Sequence, residues 1–287
     1  MNWFPAPGKL NLLLHVLGRR ADGMHELQTV YRLVERGDRV GIQVRSDREI
    51  RRHDPLPGVA VEDDLCVRAA RLLQAESGSA QGAGLALDKR LPIGGGMGGG
   101  SSDAATTLIV LNRLWGLGWP RARLLDLALR LGADVPFFVF GHNAVGEGIG
   151  ERLRALALPA AWYLVLVPPV ALSTRAVFSD NALTRNAKRL KIPPFFSGLG
   201  GNDLEPVAVK RSPEIAAHLA WLRGRCAQAR MTGSGACVFA EFGAQAQAQG
   251  VLGELPGTMR GFVTRGLERH PLHELEPLEP LGSRQVG

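Results

Sequence analysis

A glycine-rich segment at residues 91–105 carries the strongest chemical signal in the 287-residue chain. Its sequence, LPIGGGMGGGSSDAA, places six glycines around one methionine and continues into an apolar run that predicts a helix. Glycine lets a backbone adopt positive φ angles and approach another group closely. A helix after such a loop directs free N–H groups towards one point, with Ser101 or Ser102 expected as its N-cap. The segment therefore predicts a phosphate-binding loop.

The known nucleotide loops fit this segment poorly. Glycines at 94, 96 and 99 satisfy G-x-G-x-x-G, but the acidic residue that a dinucleotide fold needs about twenty positions later is missing. No lysine precedes Ser101, as a P-loop requires, and the chain has no H-R-D or D-F-G triplet of a protein kinase. The alternative is a flexible linker, which the flanking strand and helix patterns disfavour.

A lysine near the N-terminus could supply the positive charge that the loop lacks. Residues 5–16, PAPGKLNLLLHV, predict an apolar strand in which Lys9 and Asn11 lie on the same face. The alternative is a lysine on an edge strand that faces solvent.

Asp134 is a third candidate, in the segment GADVPFF at residues 132–138. Residues 121–131 predict a helix that ends at Gly132, and Pro136 is expected to prevent it from continuing. The phenylalanines at 137, 138 and 140 are expected to be buried, so a carboxylate beside them needs a cationic or donor partner. The alternative is a turn aspartate that bonds its own backbone.

Together these motifs resemble the galactokinase–homoserine kinase–mevalonate kinase–phosphomevalonate kinase (GHMP) superfamily. Residues 19–29 (RRADGMHELQT), 202–205 (NDLE) and 231–239 (MTGSGACVF) are similar to the branch of that superfamily that acts on a cytidine diphosphate sugar alcohol. The resembling blocks run in family order from residue 5 to about residue 262. The resemblance implies an ATP-dependent kinase that phosphorylates a hydroxyl group of this substrate in isoprenoid precursor synthesis.

The resemblance also assigns roles to individual residues. Lys9 and Asp134 match the catalytic pair of the family. The residues that match its ATP phosphate loop are Pro92, Ile93, Gly94, Gly95, Gly96, Met97, Gly98, Gly99, Gly100, Ser101 and Ser102. The residues that match its substrate site are Asn11, Met24, His25, Thr174 and Phe178. Met24 stands where the family usually carries an aromatic residue, so a thioether is expected to replace a ring against the cytosine.

The implied reaction suits these residue types, because phosphoryl transfer needs positioning and charge stabilisation more than covalent chemistry. Asp134 is expected to accept the proton of the attacking hydroxyl, while Lys9 keeps that carboxylate ionised. ATP implies Mg²⁺, whose ligands the sequence does not identify, although Ser101 or Ser102 could supply one. Phe178 is expected to stack on the cytosine, and the alternative is a core residue of the second half.

Two other functions remain compatible with the sequence. One is another small-molecule GHMP kinase, acting on homoserine or mevalonate, which the DGMH motif at 22–25 and the segment 174–178 disfavour. The other is a non-catalytic module that binds nucleotide, which the presence of both Lys9 and Asp134 disfavours.

The resemblance implies a two-domain, GHMP-kinase-like α+β fold with a cleft between the domains. The hydropathy pattern agrees with two halves that each mix strands and helices, with the glycine loop at a helix N-terminus. The N-terminal ATP-binding domain is expected over residues 1–157 and the C-terminal GHMP kinase domain over residues 158–287. Strands are predicted at 31–34, 39–44, 84–89 and 162–167, and a helix at 66–75. Residues 181–201 are predicted to form a mobile connection. A flexible tail is predicted after about residue 268, with solvated histidines at 270 and 273.

Composition limits the partners of the chain. The formal charge of +7 suits polyanionic substrates, but no basic run is interleaved with aromatic residues, so nucleic acid is not an expected partner. Three cysteines without metal spacing suit a reducing cytosol. No signal peptide is visible, and the apolar run at 160–172 is too short to span a bilayer. We expect a cytoplasmic protein without a membrane partner, of undetermined oligomeric state.

Overall fold

The computed structural model of the protein describes residues 1–54, 56, 58–193 and 200–274, which form two β-sheets with helices packed against them. The strands are β1 (Asn2–Arg19), β2 (His25–Arg45), β3 (Ile50–Arg52), β4 (Gly82–Asp88), β5 (Ala144–Gly148), β6 (Arg152–Ala155), β7 (Trp162–Leu166), β8 (Arg230–Met231), β9 (Val238–Phe242) and β10 (Gly261–Arg265). The helices are α1 (Leu65–Ser77), α2 (Gly99–Leu114), α3 (Arg121–Leu131), α4 (Val135–Phe140), α5 (Thr174–Phe178), α6 (Glu205–Arg211), α7 (Pro213–Arg223) and α8 (Gln245–Gly253). The predicted α+β class is confirmed.

The first sheet is organised around β2, a strand of 21 residues. β1 pairs with it antiparallel along one edge, and β4 and β5 pair with the two ends of its other edge. The strands follow the order β3-β4-β2-β5-β6, with β1 paired to β2 outside this path. The two strands predicted at 31–34 and 39–44 are parts of β2, because β1 pairs with both and a bulge opposite Pro7 and Gly8 absorbs the residues between.

The end of β10 and the residues after it fill the gap that β4 and β5 leave on that edge of β2. Leu267 N donates to Leu33 O at 2.8 Å, and Arg36 N donates to Thr264 Oγ1 at 2.9 Å. The C-terminal part of the chain is thus hydrogen-bonded to the N-terminal sheet.

The second sheet is antiparallel, in the order β10-β7-β9-β8. β7 is an unbroken apolar run because both of its faces are buried. Leu164 and Leu166 pack in a core with α5, α6 and α7, whereas Tyr163 and Val165 pack in a second core with side chains of β1 and β2. A third core lies between the first sheet and α1–α4.

The domain boundary at residues 157 and 158 stays a prediction. The first sheet uses residues 2–155 and the second uses residues 162–265. In the part of the chain that the structure describes, no helix is both long and apolar enough to cross a membrane.

Two predictions about mobile segments differ from the structure. His270, predicted to be solvated, is only 2% exposed, and its backbone N donates to Gly141 O at 2.9 Å. His273 is half-buried, with its ring centroid 4.2 Å from that of His142. The start of the predicted tail therefore packs against the N-terminal half, and residues 275–287 lie outside the described residues.

The predicted mobile connection is irregular, but its described part is held against the first sheet. Ala187 N donates to Val16 O at 3.1 Å, and Gln28 exchanges two side-chain hydrogen bonds with the backbone of Leu190. Residues 194–199 of this prediction lie outside the described residues.

Candidate active site

Lys9 lies in the middle of β1 and is only 3% exposed. Its Nζ is 3.3 Å from Oδ2 of Asp134 and donates to Oδ1 of Asn11 at 2.6 Å. The spacing prediction that Lys9 and Asn11 share a face is confirmed, and the alternative of a solvent-facing lysine is wrong. A buried ammonium needs such partners, because burying it unpaired would be costly.

Asp134 sits between two helices, after α3 and immediately before α4. The predicted helix at 121–131 is confirmed as α3, and Gly132 follows it. Pro136 lies in the first turn of α4, where its missing N–H is not needed, so it helps to open a second helix rather than only ending the first. Phe137 and Phe138 are fully buried, and the third phenylalanine, at 140, is half-buried. The carboxylate is thus fixed at the start of a well-packed turn.

Tyr31, on β2, orients the other oxygen of this carboxylate. Its hydroxyl donates to Asp134 Oδ1 at 3.1 Å, while its ring stacks on Phe137 with centroids 4.6 Å apart. Burial, followed by the negative charge of Asp134, raises the pKa of Tyr31, so the hydroxyl remains a donor. The alternative of a turn aspartate is not what the structure shows, because the Asp134 side chain makes no bond that caps α4.

Asn11 is held by both halves of the chain. Its Nδ2 donates to Thr29 Oγ1 at 2.8 Å, and Thr29 Oγ1 donates to Leu13 O at 2.6 Å. Its backbone N donates to Thr232 Oγ1 at 3.0 Å. These bonds orient the amide so that its oxygen faces Lys9.

The glycine loop has positive φ angles at alternate residues. Gly94, Gly96 and Gly98 have φ angles of +69°, +77° and +72°, a region that side chains disfavour. α2 begins at Gly99, and Gly98 is its N-cap. The prediction of Ser101 or Ser102 as the N-cap is wrong, because both lie inside the first turn. No side chain caps α2, so the helix start keeps the character of an anion site.

Both halves of the chain clamp this loop. Met97 O accepts from Lys9 N at 2.9 Å, and Gly95 O accepts from Cys237 N at 3.1 Å. A Cβ at Gly96 would lie 2.2 Å from Thr232 O, so only glycine fits there. The loop that is predicted to hold phosphate therefore contacts β1 on one side and the turn at 232–237 on the other.

A buried ion cluster packs against the N-terminal part of α2. Lys89 Nζ lies 2.8 Å from Asp103 Oδ2 and also pairs with Asp38. Asp38 Oδ1 accepts from the backbone N of Leu91 at 2.8 Å. Burial and the neighbouring Asp38 carboxylate raise the pKa of Asp103 to about 7, although Lys89 opposes them. The cluster links Leu91, just before the loop, to Asp103, near the start of α2.

Of the predicted substrate residues, His25 and Phe178 lie together in a second cluster, whereas Asn11 belongs to the Lys9 site. The rings of His25 and Phe178 have centroids 5.0 Å apart, and Phe178 is partly buried. At the other end of α5, Thr174 Oγ1 lies 2.8 Å from Ser234 Oγ, in the turn that clamps the glycine loop. Met24 is 46% exposed. The structure therefore connects the predicted base pocket to the glycine loop through α5.

Arg185 organises this second cluster, and the sequence prediction missed it. Its Nε donates to His25 Nε2 at 3.1 Å, and its Nη2 donates to Phe178 O at 2.8 Å. Burial, then the charges of Arg185 and Arg19, lower the pKa of His25. The imidazole is therefore neutral near pH 7.

Four other residues at the site were missed by the sequence prediction: Thr29, Tyr31, Lys89 and Thr232. Thr232 stands in the motif TGSG, whose glycines signal a tight turn, so composition offered a partial clue. Tyr31 is the register partner of Asn11, which could be found only by knowing how β1 pairs with β2.

The described residues contain no cluster of three or more His, Cys, Asp or Glu side chains that could hold a metal ion. They do contain a fully buried hydroxyl, Ser102 Oγ, that has no hydrogen-bond partner within the protein. A hard cation brought by a ligand could use such an oxygen.

Comparisons with known proteins agree with this geometry. The family model for the GHMP kinases N terminal domain matches residues 64–142, and that for the GHMP kinases C terminal domain matches residues 183–260. Two relatives named 4-diphosphocytidyl-2-C-methyl-D-erythritol kinase are similar over nearly the whole chain. The protein from Nitrosospira multiformis is 60% identical over 94% of this chain and 92% of its own length. The protein from Thiobacillus denitrificans is 59% identical over 96% and 98%.

Solved structures give the same picture. A crystal structure of 4-(cytidine 5′-diphospho)-2C-methyl-D-erythritol kinase matches with a TM-score of 0.78 and 32% identity, over 93% of this chain and 100% of that one. The mevalonate kinase of Methanococcus jannaschii matches with a TM-score of 0.65 but only 13% identity, over 93% and 98%, so it shares the fold alone. By both sequence and fold, the chain belongs to the GHMP kinases, in the family of the 4-diphosphocytidyl-2-C-methyl-D-erythritol kinases.

Proposed function

We infer that the protein transfers the γ-phosphoryl group of ATP to the 2-hydroxyl of 4-diphosphocytidyl-2-C-methyl-D-erythritol. The products are ADP and the 2-phosphate, in the non-mevalonate route to isoprenoid precursors. The observation that carries this inference is the Lys9–Asp134 ion pair of 3.3 Å, which lies directly against the glycine loop. Lys9 is hydrogen-bonded to that loop through Met97 O, so a phosphate held there would lie close to both groups.

The two catalytic residues have complementary tasks. Asp134 accepts the proton of the attacking hydroxyl as the oxygen approaches phosphorus. Tyr31 and Lys9 hold its two carboxylate oxygens in one orientation, so little rearrangement is needed when the substrate arrives. The Lys9 ammonium then stabilises the negative charge that develops on the oxygens around phosphorus.

The loop residues from Pro92 to Ser102 bind the phosphates of ATP in this proposal. Backbone N–H groups at the glycines and at the start of α2 donate to phosphate oxygens, and the helix dipole favours the negative charge. The glycines at 94, 96 and 98 maintain the positive φ angles that this path requires.

Mg²⁺ accompanies ATP in this proposal, and when bound it neutralises charge on the phosphate oxygens. The hydroxyls of Ser101 and Ser102 are the protein ligands we propose for it, because Ser102 Oγ is buried without a partner in the protein.

The substrate end of the site is formed by Asn11, Met24, His25, Thr174 and Phe178. We propose that Phe178 stacks on the cytosine, that Met24 covers the other face of the ring and that His25 contacts its edge. The 5.0 Å separation of the His25 and Phe178 rings supports this arrangement, since one ligand ring can then reach both. The three cysteines are all free, which supports the cytoplasmic location that we propose.

An acceptor panel tests the proposed reaction. Release of ADP from ATP is measured with 4-diphosphocytidyl-2-C-methyl-D-erythritol, homoserine, mevalonate or no acceptor. We expect substantial turnover with the first acceptor only. Turnover with homoserine or mevalonate would identify another GHMP kinase, and ATP binding without turnover on any acceptor would identify a non-catalytic nucleotide-binding protein.

A further inference from the structure

Arg185 makes an unusual contact with the proposed base pocket, because a permanent cation donates to a histidine ring. Its Nε lies 3.1 Å from Nε2 of His25. The rest of the guanidinium is bound to backbone carbonyl groups, through Leu183 O at 3.1 Å and through Phe178 O and Asp180 O at 2.8 Å each. Arg185 is therefore fixed in place by the same segment that carries Phe178.

This contact determines which nitrogen of His25 carries the proton. A guanidinium has five N–H donors and no acceptor, so Nε2 of His25 must accept and cannot carry a hydrogen. A neutral imidazole carries its one hydrogen on the other nitrogen when Nε2 is bare. Among the described residues, none is hydrogen-bonded to His25 Nδ1, so the Nδ1–H group remains available to a ligand.

We propose that Arg185 holds His25 as the Nδ1–H tautomer and thereby makes the pocket select cytosine over uracil. This inference rests on the proposed function, in which His25 contacts the base edge. Cytosine has a bare nitrogen at N3, which can accept from Nδ1–H. Uracil carries an N–H at the same position, so two donors would face each other and neither would be satisfied. Arg185 is thus a specificity-determining residue that acts through His25.

The tautomer can be measured without substrate. The protein is labelled with ¹⁵N-histidine, and long-range ¹H–¹⁵N spectra at pH 7.5 distinguish the protonated ring nitrogen from the bare one. The His25 signal is identified by its disappearance in a His25→Gln variant. We expect a single Nδ1–H tautomer in the unmodified protein and in Arg185→Lys, whose ammonium can still donate to Nε2. Arg185→Met should show a mixture of tautomers or the reverse one.

Arg189→Met is the matched control for the tautomer measurement. Arg189 is an exposed arginine on the same segment that pairs with Glu147 and Glu26, and it makes no bond to His25. Its removal should leave the tautomer unchanged. An Nε2–H tautomer in the unmodified protein, or no change in Arg185→Met, would overturn the proposal even if one variant folded poorly.

Selectivity is measured with the cytidine substrate and its uridine analogue. We expect the ratio of their kcat/KM values to fall by about five- to a hundredfold in Arg185→Met, mainly because the analogue is no longer rejected. Arg185→Lys should recover most of the ratio, and Arg189→Met should retain all of it. An equal loss with both substrates would overturn the selectivity assigned to Arg185. Absence of activity on the cytidine substrate in the unmodified protein would instead refute the proposed function, and the tautomer measurement would still stand.

Discussion

Replacing Asp134 by asparagine keeps the size of the side chain but removes its negative charge and its ability to act as a base. The amide oxygen of asparagine can still accept a hydrogen bond from the Tyr31 hydroxyl, which lies 3.1 Å from Asp134 Oδ1 in the unmodified protein. The amide cannot take a proton from the substrate hydroxyl, and it carries no charge to pair with Lys9. We expect kcat to fall by about 10²- to 10⁴-fold, the usual contribution of a general base. This loss corresponds to about 2.7–5.4 kcal/mol of activation free energy.

The fold should survive this change. Lys9 keeps Asn11 Oδ1 as a partner at 2.6 Å, so its buried ammonium is not left unpaired. The Asp134 side chain is 34% exposed, so solvent screens much of the lost attraction. We therefore expect unfolding to become easier by only about 1–2 kcal/mol.

Three measurements decide the outcome for Asp134→Asn: kcat by ADP release, ATP affinity by calorimetry, and thermal stability. Asp126→Asn is the control, because Asp126 is an exposed aspartate on α3. We expect ATP affinity to change less than threefold in both variants. Turnover within a few-fold of the parent would refute the assignment of Asp134 as the base, and so would a loss of turnover that a matching loss of ATP affinity explains.

Four further changes test other parts of the site and the packing of the C-terminal segment. Tyr31→Phe removes only the hydroxyl that orients Asp134, so kcat should fall about tenfold while KM for ATP stays constant; an unchanged kcat would exclude the positioning role. Gly98→Val places a branched side chain at φ +72°, where even the Cβ would lie 3.0 Å from the Phe138 ring, so calorimetry should show weaker ATP binding. Gly250→Val, at a position on α8 where an added Cβ meets nothing within 4 Å, should bind ATP normally. Phe178→Ala should raise KM for the cytidine substrate about five- to a hundredfold without affecting KM for ATP; equal effects on both, with a large drop in melting temperature, would indicate a core residue instead. Burial lowers the pKa of His270 to about 3. Between about pH 6.5 and 3, His270 is therefore protonated in the unfolded chain but neutral in the folded chain. The free energy of unfolding falls as the pH falls through this window. In His270→Asn, the free energy of unfolding should fall less steeply with falling pH, by up to about 1.4 kcal/mol per pH unit. If urea titrations at several pH values showed the same pH dependence as in the parent, they would contradict a buried, neutral His270.

Local sequence signals predicted the parts of the site that depend on local backbone. The glycine loop, α3 and the shared face of Lys9 and Asn11 follow from turn chemistry and strand periodicity, which act over a few residues. The capping of α2 was predicted wrongly for a physical reason. A serine is a good N-cap in isolation, but here glycine at position 98 takes the positive φ that the loop path requires, and the helix starts before the serines.

The contacts that complete the site join residues far apart in the chain. Tyr31 and Asp134 are 103 positions apart, and Asn11 and Thr232 are 221 positions apart. Neither pair has a local pattern, because each depends on how β1 and β2 pair and where the C-terminal half docks. The prediction of a solvated tail was wrong for the same reason, because it too depends on contacts between distant parts of the chain. A segment rich in proline and glutamate predicts solvated side chains. His270 is nevertheless buried, because the chain after β10 packs back against the first sheet.

Within the described part of the chain, one edge of β1 has no partner strand, and this explains why the site needs both halves of the chain. An unpaired strand edge leaves free N–H and C=O groups, which must find other partners. Along β1 these partners are the glycine loop at Lys9 N, the turn at Thr232 for Asn11 N, and Gly201 O for Leu14 N. One strand edge therefore aligns the glycine loop, the proposed catalytic Lys9 and the turn that contacts α5. It follows that a change in the turn at 232–237 should disturb ATP binding and substrate binding together, although it touches neither Lys9 nor Asp134 directly.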